Sequence, residues 1–373
     1  MNRNKQYLEV GAKLAGCLLA IAMCLPACTG SVEPEVGGDA SSLRLCLSLA
    51  LPQSITVEPR AGTTVNGVSV TDVCVLQFAS SDGSLKSNKQ YNNNQTETKI
   101  TTDATTGLPT VTTDDTDFED VSSRFYIVIN PGDDLKDVPT DPDTDTSFSS
   151  FAESTFLAYT HTEADITSAP QIMVYGPYEY TTTTTTGKKA LQLLAKMQHI
   201  GARIDVSWTI PADVNLTITS AEVENIPDKY YLYPQSATSL TYKEGAQTIS
   251  FNSDKKSLTF YMPENKKGTG TGTTQQEKSM MEKGPGGTLA DCTCIVLKGT
   301  YKYKAEDTDH IKVEYRFYPG ADMISNYDIE RGKSYQLDIT LSGANSADAR
   351  VSITDSNVFS IGDPSGVDHI ITF

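Results

Sequence analysis

Residues 43–49, Leu-Arg-Leu-Cys-Leu-Ser-Leu, place a leucine at every second position. Successive side chains of a β-strand point to opposite faces of a sheet, so the four leucines share one face. This alternation predicts a half-buried strand whose leucine face lies against a hydrophobic core. Arg44, Cys46 and Ser48 then lie on the other face.

Similar runs follow along the whole chain and predict an all-β protein. Residues 68–78 form an apolar run that the turn Ser81-Asp82-Gly83 closes. Abundant Thr, Val, Ile and Tyr favour strands, Asp, Asn, Gly and Pro favour turns, and no segment shows a long amphipathic helical period. Further strands are predicted at 96–102, 124–130, 156–160, 172–175, 216–223, 248–251, 257–262, 294–303, 311–318, 334–341 and 349–354.

The length of the chain indicates two domains. At 373 residues it is too long for one ordinary sandwich and suits two of roughly 100–200 residues each. We interpret residues 191–208 as one long strand bent at Gly201 and place the domain junction at Pro211. The domains are then residues 61–210 and 211–373, two antiparallel sandwiches in tandem. A Gly/Thr/Lys-rich stretch at 266–287 is predicted to be a flexible loop.

Charge and motifs argue against nucleic-acid binding and catalysis. The net charge of −17 repels nucleic acid. The four histidines, His161, His199, His310 and His369, lie far apart, and no nucleophile elbow, phosphate loop, dinucleotide fingerprint or HExxH motif occurs. The acidic loop at 133–145 lacks the Gly and Glu of an EF-hand. We therefore expect a non-enzymatic protein without catalytic residues, metal site or cofactor.

The cysteines suggest structural thiols. Cys46 and Cys74 fall in apolar alternating runs, where buried free thiols are the simpler interpretation, although a disulfide between them stays open. Cys292 and Cys294 are two positions apart in a predicted strand and should face the same side. No histidine or third cysteine lies near them at the spacing of a zinc site.

The N-terminus predicts export. Three basic residues and an apolar run from Leu14 to Leu25 precede Pro26-Ala27-Cys28, as in a secretory signal. The run is shorter than the roughly 20 residues that span a bilayer. Its end resembles a bacterial lipobox, which implies that Cys28 is acylated (palmitate) and becomes the mature N-terminus. Cys17 is rejected because nothing apolar precedes it. Residues 1–28 are thus predicted to be a lipoprotein signal peptide.

A series of motifs in a fixed order resembles the fimbrillin families of Bacteroidales, the lipoprotein precursors of type V pili. The resemblance implies two tandem antiparallel β-sandwich domains of the transthyretin-like kind. Gly332 departs from the family pattern, which usually has Asn after the preceding Arg. The stretches that carry the resemblance are 73–78 with 82–83, 124–130, 199–206, 218–227, 260–265 and 328–343.

The resemblance also implies a mechanism of assembly. Such precursors reach the outer membrane as lipoproteins, and a surface protease of Arg specificity then removes the first strand. A strand from another subunit fills the groove that is left. In this chain the removable strand is 43–49, within a pro-segment at 29–60, and the cut falls between Arg60 and Ala61. A donor strand is placed at residues 367–373, where Ile371 and Phe373 share a face.

The resemblance implies a structural or adhesive subunit of a fimbria at the cell outer membrane. Its partners would be other fimbrial subunits, the membrane through the lipid, and a host or bacterial surface receptor. An alternative is a surface-anchored glycan-binding lipoprotein of a polysaccharide-uptake system, which would stack sugars on exposed aromatic residues. Trp208 and the cluster at 230–233, Tyr-Tyr-Leu-Tyr, are the candidates, and we interpret both as packing residues. A purely structural envelope lipoprotein is a third reading.

Overall fold

A computed structural model describes residues 42–52, 70–92, 100–104, 108–182, 189–234, 240–344, 346–355 and 371–372. Within these ranges strands dominate and no helical segment exceeds five residues, which confirms the all-β prediction. In chain order the strands are β1 (Ser42–Ala50), β2 (Asp72–Ala79), β3 (Leu85–Asn92), β4 (Ile100–Thr102), β5 (Pro109–Thr112), β6 (Phe118–Glu119), β7 (Ser123–Ile129), β8 (Thr160–His161), β9 (Met173–Tyr180), β10 (Lys189–Lys196), β11 (Gln198–His199), β12 (Gly201–Thr209), β13 (Asn215–Glu224), β14 (Tyr230–Tyr231), β15 (Gln247–Ile249), β16 (Ser257–Pro263), β17 (Cys294–Lys302), β18 (Ile311–Phe317), β19 (Lys333–Gly343), β20 (Ser346–Asp355) and β21 (Ile371–Thr372).

Two sheets form the first sandwich. Sheet 1 has the order β21-β10-β1-β5-β4, with β6 also beside β1, and sheet 2 has the order β11-β9-β7-β2-β3. The leucines of β1 pack in one cluster with Val73 and Val75 of β2 and with Phe125 of β7. The core of the first half of the chain therefore lies between sheets 1 and 2, and β1 supplies a central part of it.

Two further sheets form the second sandwich. Sheet 3 has the order β16-β12-β19-β20 and sheet 4 the order β15-β13-β17-β18. Their shared cluster includes Trp208 of β12, Phe260 of β16 and Leu297 of β17. Most neighbours are antiparallel, but β1 is parallel to β10 and β12 is parallel to β19. In each sandwich, therefore, the first strand lies beside a strand from late in that half of the chain.

The predicted long strand at 191–208 is three strands in three sheets. β10 belongs to sheet 1, β11 to sheet 2 and β12 to sheet 3. Gly201 starts β12 where the backbone is crowded: a Cβ there would lie 2.5 Å from Tyr230 Cε1 and 2.8 Å from the carbonyl oxygen of Met262. The chain thus leaves the first sandwich before Gly201, whereas we expected the junction at Pro211.

Helical segments occur in one predicted strand and in one predicted flexible loop. Among the described residues, short α-helices lie at α1 (Glu153–Leu157) and α2 (Gln275–Lys278), and 3-10 turns lie at Gly132–Leu135, Phe148–Ser150, Met281–Lys283 and Pro285–Gly287. The strand predicted at 156–160 is wrong over α1, where Phe156 packs on the outer face of sheet 2. Only Thr160 of that stretch is in a strand.

The stretch at 266–287, predicted to be a flexible loop, is folded against the second sandwich. Lys278 is only 2% exposed, and its Nζ donates to the carbonyl oxygen of Asp322 at 2.5 Å. The hydroxyl of Tyr327 donates to the carbonyl oxygen of Lys278 at 2.6 Å. A Cβ at Gly270 would lie 2.1 Å from the Lys283 carbonyl oxygen, so this glycine serves close backbone packing.

A buried arginine joins the two sandwiches. The Nη1 of Arg331 donates to the carbonyl oxygens of Tyr231 and Leu232, each at 3.0 Å. The adjoining Tyr233 packs on the outer face of sheet 2, and its hydroxyl donates to the carbonyl oxygen of Tyr175 at 3.0 Å. Gly332, which follows, has a φ of 67°, a left-handed conformation that Gly and Asn both tolerate. The departure from the family's Asn therefore suits this turn.

We expect Arg331→Met to lower the free energy of unfolding by about 2–3 kcal/mol, because two buried carbonyl oxygens lose a charged donor. Urea unfolding followed by circular dichroism measures the loss. Arg316→Met is the matched control, since its side chain is 38% exposed and its ion pairs with Glu224 and Glu314 are worth about 0–1 kcal/mol. Equal losses in the two variants would contradict a special role for Arg331.

Candidate functional site

The candidate site is the position of β1 in sheet 1, which we name the slot. On one side, residues 43–50 pair in parallel with residues 189–196 of β10. On the other side, residues 46–48 pair with β5 and residues 42–43 with β6, both antiparallel. The slot is therefore an interior position of the sheet, lined by β10 on one flank and by β5 and β6 on the other.

The leucine face of β1 fills the core side of the slot. Leu43, Leu45, Leu47 and Leu49 are each 1% exposed or less, as the alternating sequence predicted. Burying one such side chain contributes about 1.5–3 kcal/mol relative to leaving it exposed. β1 is thus an integral part of the core, although it is the first strand of the described chain.

Hydrogen bonds to β1 continue in the gap between β5 and β6. Thr113 lies between them and is 2% exposed; its N–H donates to the carbonyl oxygen of Leu45 at 3.0 Å. Its hydroxyl accepts a hydrogen bond from the N–H of Leu45 at 2.8 Å. At the other end of the slot, the N–H of Met197 donates to the carbonyl oxygen of Ala50 at 2.9 Å. Sequence reasoning missed Thr113, because a lone threonine in an acidic loop carries no signal.

Loss of β1 would uncover two kinds of surface at once. The backbone edges of β10 and of β5 with β6 would lose their partners, and the apolar floor formed by β2 and β7 would meet solvent. Unpaired edges and apolar surface both attract another strand. A strand with bulky aliphatic residues at alternate positions is the ligand that matches this geometry.

The site residues predicted from the sequence fall largely outside the described residues. Cys28, Arg60, Ala61 and Phe373 lie outside them. Ile371 belongs to β21, which pairs with β10 on the edge opposite β1. In its own chain β21 is therefore separated from the slot by β10 and does not lie inside it.

The disulfide left open between Cys46 and Cys74 does not fit the fold. Cys46 points away from the leucine face of β1, toward the outside of sheet 1. Cys74 points to the outside of sheet 2, where its thiol donates to Oδ1 of Asn88 at 3.2 Å. Because the core lies between these faces, the thiols cannot meet at disulfide distance.

The second pair of cysteines is buried, whereas the spacing had predicted only that the two thiols face the same side. Cys292 and Cys294 share one cluster with Tyr318 and Tyr327. Burial raises the pKa of Cys292 to about 11 and that of Cys294 to about 12. Both thiols are therefore protonated and unreactive near neutral pH.

The aromatic candidates for glycan stacking are packing residues. Trp208 is 3% exposed, and its ring contacts that of Phe251 with the centroids 5.3 Å apart. Tyr230 and Tyr233 are buried against the outer face of sheet 2. None of these three rings offers a face to a sugar.

The described ranges offer few other candidates for a functional site. They contain no group of three His, Cys, Asp or Glu side chains placed to hold a metal ion. They also contain no helix that is both long and apolar enough to cross a bilayer. His161 lies between Asp134 and Glu163, with nitrogen–oxygen distances of 2.6 and 3.0 Å. Burial lowers the pKa of His199 to about 4, so this ring is neutral at physiological pH.

We expect Leu47→Ala to lower the free energy of unfolding by about 2–5 kcal/mol, because it leaves a cavity at the floor of the slot. Ser48→Ala on the opposite face of β1 is the control and should change stability by no more than about 0.5 kcal/mol. Denaturant titration of the full chain compares the two. A loss below about 1 kcal/mol for Leu47→Ala would contradict a core role for β1.

We expect His199 to make stability depend on pH. Its pKa is about 4 when folded and about 6.5 when unfolded, so the unfolded chain binds more protons between these values. Stability is therefore complete above pH 6.5 and falls as the pH drops toward 4. His199→Gln should reduce this fall by about 1–3 kcal/mol, whereas His310→Gln at an exposed position should not. Thermal melts from pH 7 to pH 4 test this expectation. It is refuted if the melting temperatures of the two variants fall equally with pH.

The fold of this chain is similar to that of proteins of known structure. A family described as a domain of unknown function (DUF4906) matches residues 260–339. A search of curated proteins found no match. The fold is similar to that of a "putative cell adhesion protein" from Parabacteroides distasonis, with 13% identity over 84% of this chain and 96% of the other and a TM-score of 0.53.

The fold is also similar to that of the tip fimbrial protein Mfa3 of Porphyromonas gingivalis. The identity is 14% over 84% of this chain and 99% of the other, and the TM-score is 0.50. Identities this low establish a likeness of fold. At that level the resemblance to Bacteroidales fimbrial proteins, first indicated by the sequence motifs, is confirmed.

Proposed function

We propose that this chain is a structural subunit of a cell-surface fimbria and assembles by donor-strand addition after proteolytic removal of its first strand. The observation that carries the proposal is the interior position of β1 in sheet 1, with four buried leucines and partners on both sides. An edge strand could leave without opening the core. A strand in this position leaves a groove that only another strand can fill.

The expected cleavage site suits such a mechanism. Arg60 lies between Pro52, which follows β1, and Val70, which precedes β2, in a segment rich in turn-forming residues that a protease could reach. Cleavage after Arg60 would cut the covalent link between β1 and the remainder of the sandwich. Pairing and burial would still hold β1, so assembly requires an incoming strand to displace it.

Two edge strands of the second sandwich, β18 and β20, are poor alternatives for self-association. Edge strand β18 carries exposed Lys312, Glu314 and Arg316 at alternate positions. At edge strand β20, the side-chain amide of Gln275 donates to the carbonyl oxygen of Ala349 at 2.6 Å. Charges and capped carbonyls discourage edge-to-edge pairing. These features favour addition at the slot over addition at the outer edges.

The remaining parts of the proposal come from the sequence and the fold. Acylation at Cys28 would hold the precursor on the outer membrane, with roughly 0.8 kcal/mol contributed by each buried methylene. Residues 367–373, with Ile371 and Phe373 on one face, would supply a donor strand to the next subunit. The partners are other fimbrial subunits, and a fibre on the cell surface would meet a receptor on a host or another bacterium. The fold likeness to a tip fimbrial protein supports this assignment.

We expect Arg60→Ala to block maturation, so that the surface-extracted protein keeps β1 and forms no polymer ladder on unboiled gels. Glu58→Ala is the control, because it alters the same segment and leaves the arginine in place. N-terminal sequencing identifies the mature start, which should be Ala61 for the wild type and for the control. Mature-size protein and a normal ladder from Arg60→Ala would refute processing at this site.

A further inference from the structure

A buried ion pair lies at the end of the slot where β1 begins. The Nζ of Lys189 and Oδ2 of Asp120 are 2.5 Å apart, and the two side chains are only 7% and 6% exposed. Lys189 is in phase with Leu191, Leu193 and Ala195 of β10, so its side chain is directed to the core side of sheet 1. It is the one charged residue at a core-facing position of β10, which is the sequence signal that could have drawn attention to it.

The ion pair joins the two flanks of the slot. Lys189 is the first residue of β10 and is the pairing partner of Leu43. Asp120 follows β6 directly, and β6 pairs with Ser42 and Leu43 on the other side of β1. The two charged groups therefore meet across the width of one strand.

The pair is also tied to the facing sheet. The hydroxyl of Tyr180, at the end of β9 in sheet 2, donates to Oδ1 of Asp120 at 2.6 Å. The hydroxyl of Thr182 donates to the same oxygen at 2.9 Å and accepts from Lys189 Nζ at 3.4 Å. A network in which the donors and acceptors are satisfied in this way holds a defined geometry.

Stability alone does not explain a buried pair at this place. Removing two charges from water is costly, and apolar residues of similar size often serve as well or better. Among the described strands of sheet 1, β1 alone pairs with β10 on one side and with β5 and β6 on the other. Without β1, hydrophobic residues at positions 120 and 189 would draw the two flanks together. The ion pair is fixed to Tyr180 and so keeps the distance between the flanks constant.

We propose that the Asp120–Lys189 ion pair is a brace that keeps the slot at the width of one strand after β1 has left. The proposal rests on the donor-strand function above and assigns two positioning residues to it. The brace lowers the cost of strand uptake, because the flanks do not have to be separated again before the incoming strand pairs with them. Neither residue needs to contact the incoming strand for this effect.

The chain offers a matched control in the same sandwich. Arg124 and Glu153 form a second partly buried ion pair, with Nη2 and Oε2 2.5 Å apart and side chains 22% and 13% exposed. This pair fixes α1 to sheet 2 and makes no contact with β1, β5, β6 or β10 among its hydrogen bonds. Glu153→Gln should lower stability without affecting the slot.

The test measures strand uptake by the full chain after cleavage at Arg60 and after removal of the cleaved segment, which includes β1, by gel filtration in mild denaturant. A fluorescent synthetic peptide of residues 42–52 is added over a range of concentrations, and its capture is followed by fluorescence anisotropy. We expect Lys189→Met and Asp120→Asn to slow capture about tenfold, which corresponds to about 1.4 kcal/mol in the barrier. Lys189→Arg keeps the charge and should stay within about twofold of the wild type. Glu153→Gln should capture at the wild-type rate.

A double variant separates the brace from a simple loss of stability. Lys189→Met with Asp120→Leu removes both charges, so the melting temperature should recover relative to the single variants. Capture of the peptide should remain slow. If the double variant or both single variants capture the peptide at the wild-type rate, the brace is refuted and donor-strand addition stands. If the cleaved wild type captures no peptide, donor-strand addition fails and the brace fails with it.

Discussion

The insertion of β1 between β10 and the pair β5 and β6 is the constraint on which the first sandwich depends. An interior strand satisfies backbone groups on both of its sides and covers core on one face. When such a strand leaves, all three contacts are lost together, whereas an edge strand loses one row of hydrogen bonds. The leucines at 43, 45, 47 and 49 make this loss large, since each is almost completely buried. If β1 leaves as proposed, a later partner strand in the same position recovers the free energy that its departure costs.

A short segment of the second half of the chain contacts both sandwiches. Tyr230, Leu232 and Tyr233 pack on the outer face of sheet 2, and Arg331 holds the same segment from the second sandwich. Aromatic residues that could have stacked sugars are used for this junction. These rings are therefore part of the contact between the two sandwiches and do not form a sugar-binding surface.

Local sequence patterns predicted where the strands lie, but they did not predict which distant segments pack against them. Alternation located β1 to within one residue at each end, because a half-buried strand is defined by its own sequence. The bend at Gly201 was predicted, but the change of sheet there was missed, because the crowding by Tyr230 comes from distant sequence. The stretch at 266–287 was misjudged for a related reason: glycine is common both in flexible loops and where backbones pack closely. The Asp120–Lys189 pair joins residues far apart in sequence, so no local signal fixed it.

The parallel pairing of β1 with β10 also sets the order in which the first half of the protein completes its fold. The ribosome makes the chain from its N-terminus, and residues 42–50 must wait for residues 189–196 before one side of β1 has a partner. Contacts between such distant residues form slowly and leave apolar surface exposed in the meantime. Until residues 189–196 arrive, the leucine face of β1 therefore lacks the sheet that it completes.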